Sequence, residues 1–99
     1  MAHENIVGLQ VTNGELYDTY RRKMTPILES YGGGFRYDFH VSEVLKNESG
    51  DPMNRVFAIF FESKNQMKAF FEDPDYVAIR EEFFVPAVEC VNVISEYDR

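Results

Sequence analysis

Asp38 and His40 are the residues whose types and spacing could do chemistry. They stand two apart in Phe35-Arg36-Tyr37-Asp38-Phe39-His40-Val41, a stretch that alternates like a β-strand. That spacing puts both side chains on one face, roughly 7 Å apart by strand rise. A carboxylate near an imidazole stabilises the imidazolium and orients its ring. His40 therefore reads as a general base and Asp38 as its orienting acid. The competing reading is a polar strand face, wetted by solvent or paired across a dimer.

Arginine forks bind carboxylates with two parallel hydrogen bonds, so Arg36, Arg55 and Arg80 are candidates for an anion site. Arg55 reads better as half of an internal ion pair with Asp38, Glu43 or Glu89. Arg80 shares the inward stripe of Tyr76, Ile79 and Phe83, and either it or Arg36 is expected to contact the ligand. Tyr20 and Tyr76 would form the walls of the pocket, although core packing with a satisfied hydroxyl accounts equally well for them and for Tyr17. His3 and His40 are the only histidines, and neither has a partner at metal-ligand spacing, so no metal and no cofactor are expected. Gly32, Gly33 and Gly34 follow a helix rather than open one, so they do not make a phosphate loop.

The elements that position these residues follow from periodicity. Ile6 to Thr12 reads as a central strand, apolar on both faces. Asn13 caps a helix whose stripe is Leu16, Tyr20, Met24, Ile27, Leu28 and Tyr31, with Pro26 inside it expected to bend or divide the helix. The run Arg21-Arg22-Lys23 reads as a solvated helix face. The glycines end this helix, and a second strand runs from about Phe35 to Leu45. By alternation, Phe35, Tyr37, Phe39 and Val41 face the helices; Arg36, Asp38, His40 and Ser42 face the other way. Asn47 to Pro52 is a loop, and Arg55 to Glu62 a buried strand. Ser63-Lys64-Asn65-Gln66 opens a short helix, and Asp73-Pro74 opens its continuation, which Pro86 ends. Val88 to Tyr97 is the last strand. The order β-α-β-β-α-β predicts one ferredoxin-like α+β domain over residues 1–99, with four antiparallel strands and the helices on one face. The other face would be an apolar patch in a monomer, so a homodimer is expected.

The 99 residues carry a formal net charge of -7 and are 44% hydrophobic and 15% aromatic, which excludes disorder and disfavours nucleic acid and anionic membrane surfaces as partners. No stretch is long enough to span a bilayer, and the N-terminus lacks the pattern of a secretory signal. The single Cys90 fits a reducing compartment and reads as a buried, inert thiol, so a cytoplasmic location is expected.

The ordered set Tyr17-x-x-Tyr20, Pro26, Tyr31-Gly32-Gly33, Arg36, Arg55, Phe61-x-Ser63, Asp73-Pro74-x-Tyr76 and Arg80 resembles the family called domain of unknown function 1330, in the dimeric α/β-barrel superfamily. The resemblance spans nearly the whole chain. It implies a ferredoxin-like protomer whose sheet pairs with a second sheet, and a ligand held between sheet and helices or inside the barrel. The superfamily includes cofactor-free monooxygenases, haem-degrading enzymes and small isomerases or lyases; the family has no agreed activity. Asp38-Phe39-His40 and the length of the Asn47 to Pro52 loop depart from its pattern. The functional expectation is binding of, or action on, a small polar or anionic organic molecule without a metal. The alternative is a non-enzymatic homodimer whose sheet face serves only association.

Overall fold

Four stretches pair into one antiparallel sheet: His3–Val11 (β1), Gly34–His40 (β2), Arg55–Phe61 (β3) and Val88–Asp98 (β4), in the order β2-β3-β1-β4. The coordinates are those of a computed structural model and describe residues 2–99. Three helices, Gly14–Ser30 (α1), Lys64–Glu72 (α2) and Pro74–Ile79 (α3), complete a ferredoxin-like α+β fold. Past α3 the chain widens into a π-type turn at Arg80–Phe84 and tightens at Val85–Ala87 before β4. Among the described residues no helix is long and apolar enough to cross a membrane.

The core lies between the helices and one face of the sheet. Val7, Leu9, Phe57, Ile59 and Phe61 meet Tyr17, Tyr20, Met24 and Leu28 of α1, Phe70 of α2 and Tyr76 of α3. Local caps fix where the helices begin. Asn13 Oδ1 accepts from the Leu16 N–H at 3.1 Å, Ser63 Oγ from Gln66 at 3.2 Å, and Asp73 Oδ1 from Asp75 and Tyr76 at 2.9 and 3.1 Å. Pro26 does not divide α1, which is continuous through it. Met24 and Leu28 are buried on either side, and that burial holds the helix together across the missing N–H.

β2 departs from the expected alternation. Phe35 pairs with Ile59 and Tyr37 with Ala58, leaving Arg36 as the extra residue of a bulge. One inserted residue turns every later side chain to the opposite face. Tyr37 and Phe39, expected against the helices, instead lie on the outer face beside Ala58 and Val56, 55% and 56% exposed. Asp38, expected to face outward, is turned to the helix side with Phe57.

β1 is gripped by the chain's last residues on both faces. His3, 4% exposed, donates from Nδ1 to Asp98 Oδ1 at 2.8 Å and from Nε2 to Glu96 Oε2 at 2.6 Å. Two carboxylate partners require both ring nitrogens to carry protons. The hydrogen bond to Asp98 raises the His3 pKa from 6.5, burial opposes it, and Glu96 adds to the rise. On the outer face Glu4, 1% exposed, accepts from Arg36 Nε at 2.6 Å and from the Tyr97 hydroxyl, with Arg99 nearby. Burial pushes the Glu4 carboxyl up, but the bonds from Tyr97 and Arg36 and the charges of Arg36 and Arg99 hold it below its usual range.

Two predictions follow from these contacts. Gly32 has φ +75°, and its N–H and that of Gly33 close α1 on the carbonyls of Glu29 and Leu28, both at 3.0 Å. Gly32→Ala should cost about 1 kcal/mol in urea unfolding. Gly33→Ala should cost at least as much, since its Cβ would stand 2.8 Å from the Phe60 carbonyl oxygen. The His3 pKa is higher folded than unfolded, so its contribution is complete below about 6.5 and fades as pH climbs through the folded value. Melting temperatures should therefore fall as pH rises above 6.5, and His3→Gln should flatten that slope; an equal slope in the variant would show that His3 does not supply it.

Candidate functional site

Because α1 and α3 stand over the sheet with bulky rings between, the two layers enclose a cavity of about 570 Å³. Its floor is Asn5, Val7, Leu9, Phe57 and Ile59; α1 supplies Tyr17, Tyr20 and Met24; Phe70 and Tyr76 close the far side. Val91 and Val93 of β4, both more than half exposed, stand at the rim. About half of the lining residues are aromatic, and the only charged ones are Arg21 and Arg80. The cavity's volume falls within the range of about 300–1,000 Å³ that small-molecule pockets occupy.

Tyr20 and Tyr76 both line the cavity. The Tyr20 and Tyr76 hydroxyls hydrogen-bond each other at 2.9 Å in buried surroundings. Burial first, and then Tyr76, pushes the Tyr20 pKa far above its ordinary value. Burial also raises that of Tyr76, against its bond to Tyr20 and the charge of Arg80. Both phenols are therefore neutral at physiological pH. One bond between two hydroxyls uses one of their two protons and leaves the other to donate. Arg80 is exposed, lines the cavity and has no ion-pair partner among the described residues.

The other residues singled out in the sequence lie elsewhere. Asp38 is taken up by arginines: Arg55 grips both its oxygens at 2.8 Å, and Arg21 Nη2 lies 2.8 Å from Oδ2. Burial raises the Asp38 pKa, but the bonds from Arg55 and the charges of both arginines outweigh it and hold it below 3.8. His40 is exposed at the end of β2, paired in the ladder with Arg55, and does not line the cavity. No hydrogen bond joins it to Asp38 among the described residues. Arg36 is on the opposite face of the sheet, bound to Glu4 and lying over the Phe60 ring.

Two polar cavity residues were not among the candidates: Asn5, and Arg21, which was expected with Arg22 and Lys23 on a solvated helix face but lies in the cavity lining. Arg21 lies flat on Phe35, 3.7 Å from the ring centroid, and donates from Nε to the Tyr17 hydroxyl at 2.9 Å. Its Nη2, though close to Asp38, makes no aligned hydrogen bond and is buried. The signal was its position four after Tyr17 and three before Met24, on the buried stripe. Asn5 is 8% exposed, and its Oδ1 has no partner.

The architecture is shared with ferredoxin-like proteins. A protein of unknown function from Rhodopseudomonas palustris superposes with TM-score 0.83 at 18% identity, over 99% of this chain and 82% of that one. A DABB-family protein with a ferredoxin-like fold from Mesorhizobium loti gives TM-score 0.71 at 16% identity, over 99% and 96%. A dimeric protein of unknown function with a ferredoxin-like fold from Bacteroides fragilis gives 0.57 at 14% identity, over 99% and 96%. These likenesses carry the fold. No curated protein matches the chain. The chain belongs to the family described as Domain of unknown function (DUF1330), whose model matches residues 5–83.

The arginine clamp on Asp38 generates a prediction. Its folded pKa lies below 3.8, so the stabilisation is complete above 3.8 and is lost as pH falls through the folded value. Asp38→Asn should lower stability at pH 7 by about 1 kcal/mol, discounted for a side chain one-third exposed. Denaturant melts from pH 7 to pH 2 should show the two proteins converging at the acid end.

Proposed function

We propose that this protein binds a small organic anion in the cavity between sheet and helices, and that it does so as a homodimer. One observation carries the ligand reading: the charged residues lining the cavity are both arginines, and Arg21 shares its one carboxylate partner, Asp38, with Arg55. A guanidinium stacked on Phe35 is pre-oriented, so an incoming carboxylate orders little on binding. Arg80 at the opening adds charge, and the Tyr20–Tyr76 pair offers one further proton. The reading needs no metal and assigns no step to His40 or Asp38, which lie outside the cavity.

The dimer reading rests on the outer face. Tyr37 and Phe39 stack there at 6.0 Å, and Ile94 is 53% exposed, forming an apolar surface of the kind that a second copy covers. The structurally similar Bacteroides fragilis protein is described as dimeric.

Benzoate is a suitable probe, and ¹H–¹⁵N NMR locates it. Its titration should shift the amides of Tyr20, Arg21, Tyr76 and Arg80 and leave Tyr37 and Phe39 unmoved. Arg21→Met should weaken binding about tenfold, the worth of one charge-assisted bond. No shifts at the cavity residues with millimolar benzoate would overturn the ligand reading. Sedimentation equilibrium at micromolar concentration should give twice 11.6 kDa; a concentration-independent monomer would overturn the dimer.

A further inference from the structure

We propose that Asn5 reads a hydrogen-bond donor on the ligand, which makes the ligand class hydroxylated aromatic acids. The proposal rests on the cavity reading above and adds its second polar end. Asn5 lies on β1, in the interior of the sheet, and is 8% exposed. Its Nδ2 has only the Met67 sulfur, at 3.5 Å, and a thioether is a weak acceptor. Its Oδ1 has nothing. Buried side-chain oxygens are nearly always paired, and an orphan in a cavity wall marks where a ligand group belongs.

The other polar groups of the wall are two guanidinium cations and the phenols of Tyr17, Tyr20 and Tyr76, all able to donate. Asn5 Oδ1 can only accept. The two ends therefore ask for opposite things: an anion at Arg21 and an O–H or N–H at Asn5. Their separation follows from the ladder, in which Phe35 pairs with Ile59 and Ile59 with Asn5. Asn5 is thus two strands from the ring that carries Arg21, about 10 Å by strand spacing. Between them the floor is Ile59 and Phe57, and Phe70 and Tyr76 stand against it. A flat ring substituted at opposite ends fits that span, stacks on those walls and freezes few rotors. An aliphatic acid of equal length would lose both advantages.

The test compares benzoate, 4-methylbenzoate and 4-hydroxybenzoate, binding to the whole protein by calorimetry. Methyl and hydroxyl are nearly equal in size, so the pair isolates the donor. We expect 4-hydroxybenzoate to bind about tenfold more tightly than the other two. Asn5→Ala should erase that preference, so that the methyl and hydroxyl acids bind the variant equally. Equal affinities of the methyl and hydroxyl acids for the unaltered protein overturn the Asn5 assignment, whether or not the variant folds. So does a preference that survives in Asn5→Ala. In either case measurable benzoate binding leaves the cavity reading standing; failure of all three acids removes both.

Discussion

A guanidinium lying on a phenyl ring joins the long helix to the edge of the sheet. Arg21 covers Phe35 at 3.7 Å, reaches back to Tyr17 and forward to Asp38, and thereby ties α1 to β2. Its reach to Asp38 exists only because of the bulge at Arg36. Phe35 precedes the extra residue and stays with the helices; everything after it is turned over. Without the insertion Asp38 would face away from the helices, and Arg21 and Arg55 would have no shared anion. Arg36 itself keeps the outward side that alternation gives it and there neutralises Glu4, a carboxylate too deeply buried to stand unpaired. One inserted residue thus settles where the two ion pairs of Asp38 form.

Much of this was legible in the sequence. The element order, the caps at Asn13, Ser63 and Asp73, and the glycine exit from α1 follow from local chemistry, which tertiary context rarely overrides. The placement of Tyr20, Tyr76 and Arg80 followed from helical spacing. The bulge was not legible, because Phe-Arg-Tyr-Asp-Phe-His alternates equally well in either register and no glycine or proline marks the break. Arg21 was hidden by its neighbours: Arg22 and Lys23 are exposed, and a basic triplet reads as one solvated surface although its first member falls on the buried stripe. Asn5 and His3 were hidden by type. Both continue the inward positions of Val7 and Leu9, but polar residues end an apolar pattern when only hydropathy is read.

The sheet therefore presents two different surfaces. The helix side holds an aromatic chamber with cationic and amide groups set into it. The outer side is apolar around Tyr37 and Phe39, and Met53 closes over Gly8 close enough that a Cβ there would meet its sulfur. That contact rests the β2–β3 connection on the sheet.

The pairing of β1 with β4 has a consequence for how the molecule is made. His3 meets Asp98 in register, so the first strand of this sheet completes one of its ladders with the fourth. Contacts this distant in sequence slow folding, since a long loop must close before they contribute. A nascent chain can hold β1 against β3 and pack α1 on them, but one edge of β1 stays open, and the Val91–Val93 rim of the chamber is missing, until β4 leaves the ribosome. Until then the half-built sheet displays an unpaired apolar strand, the kind of edge that attracts other chains during synthesis.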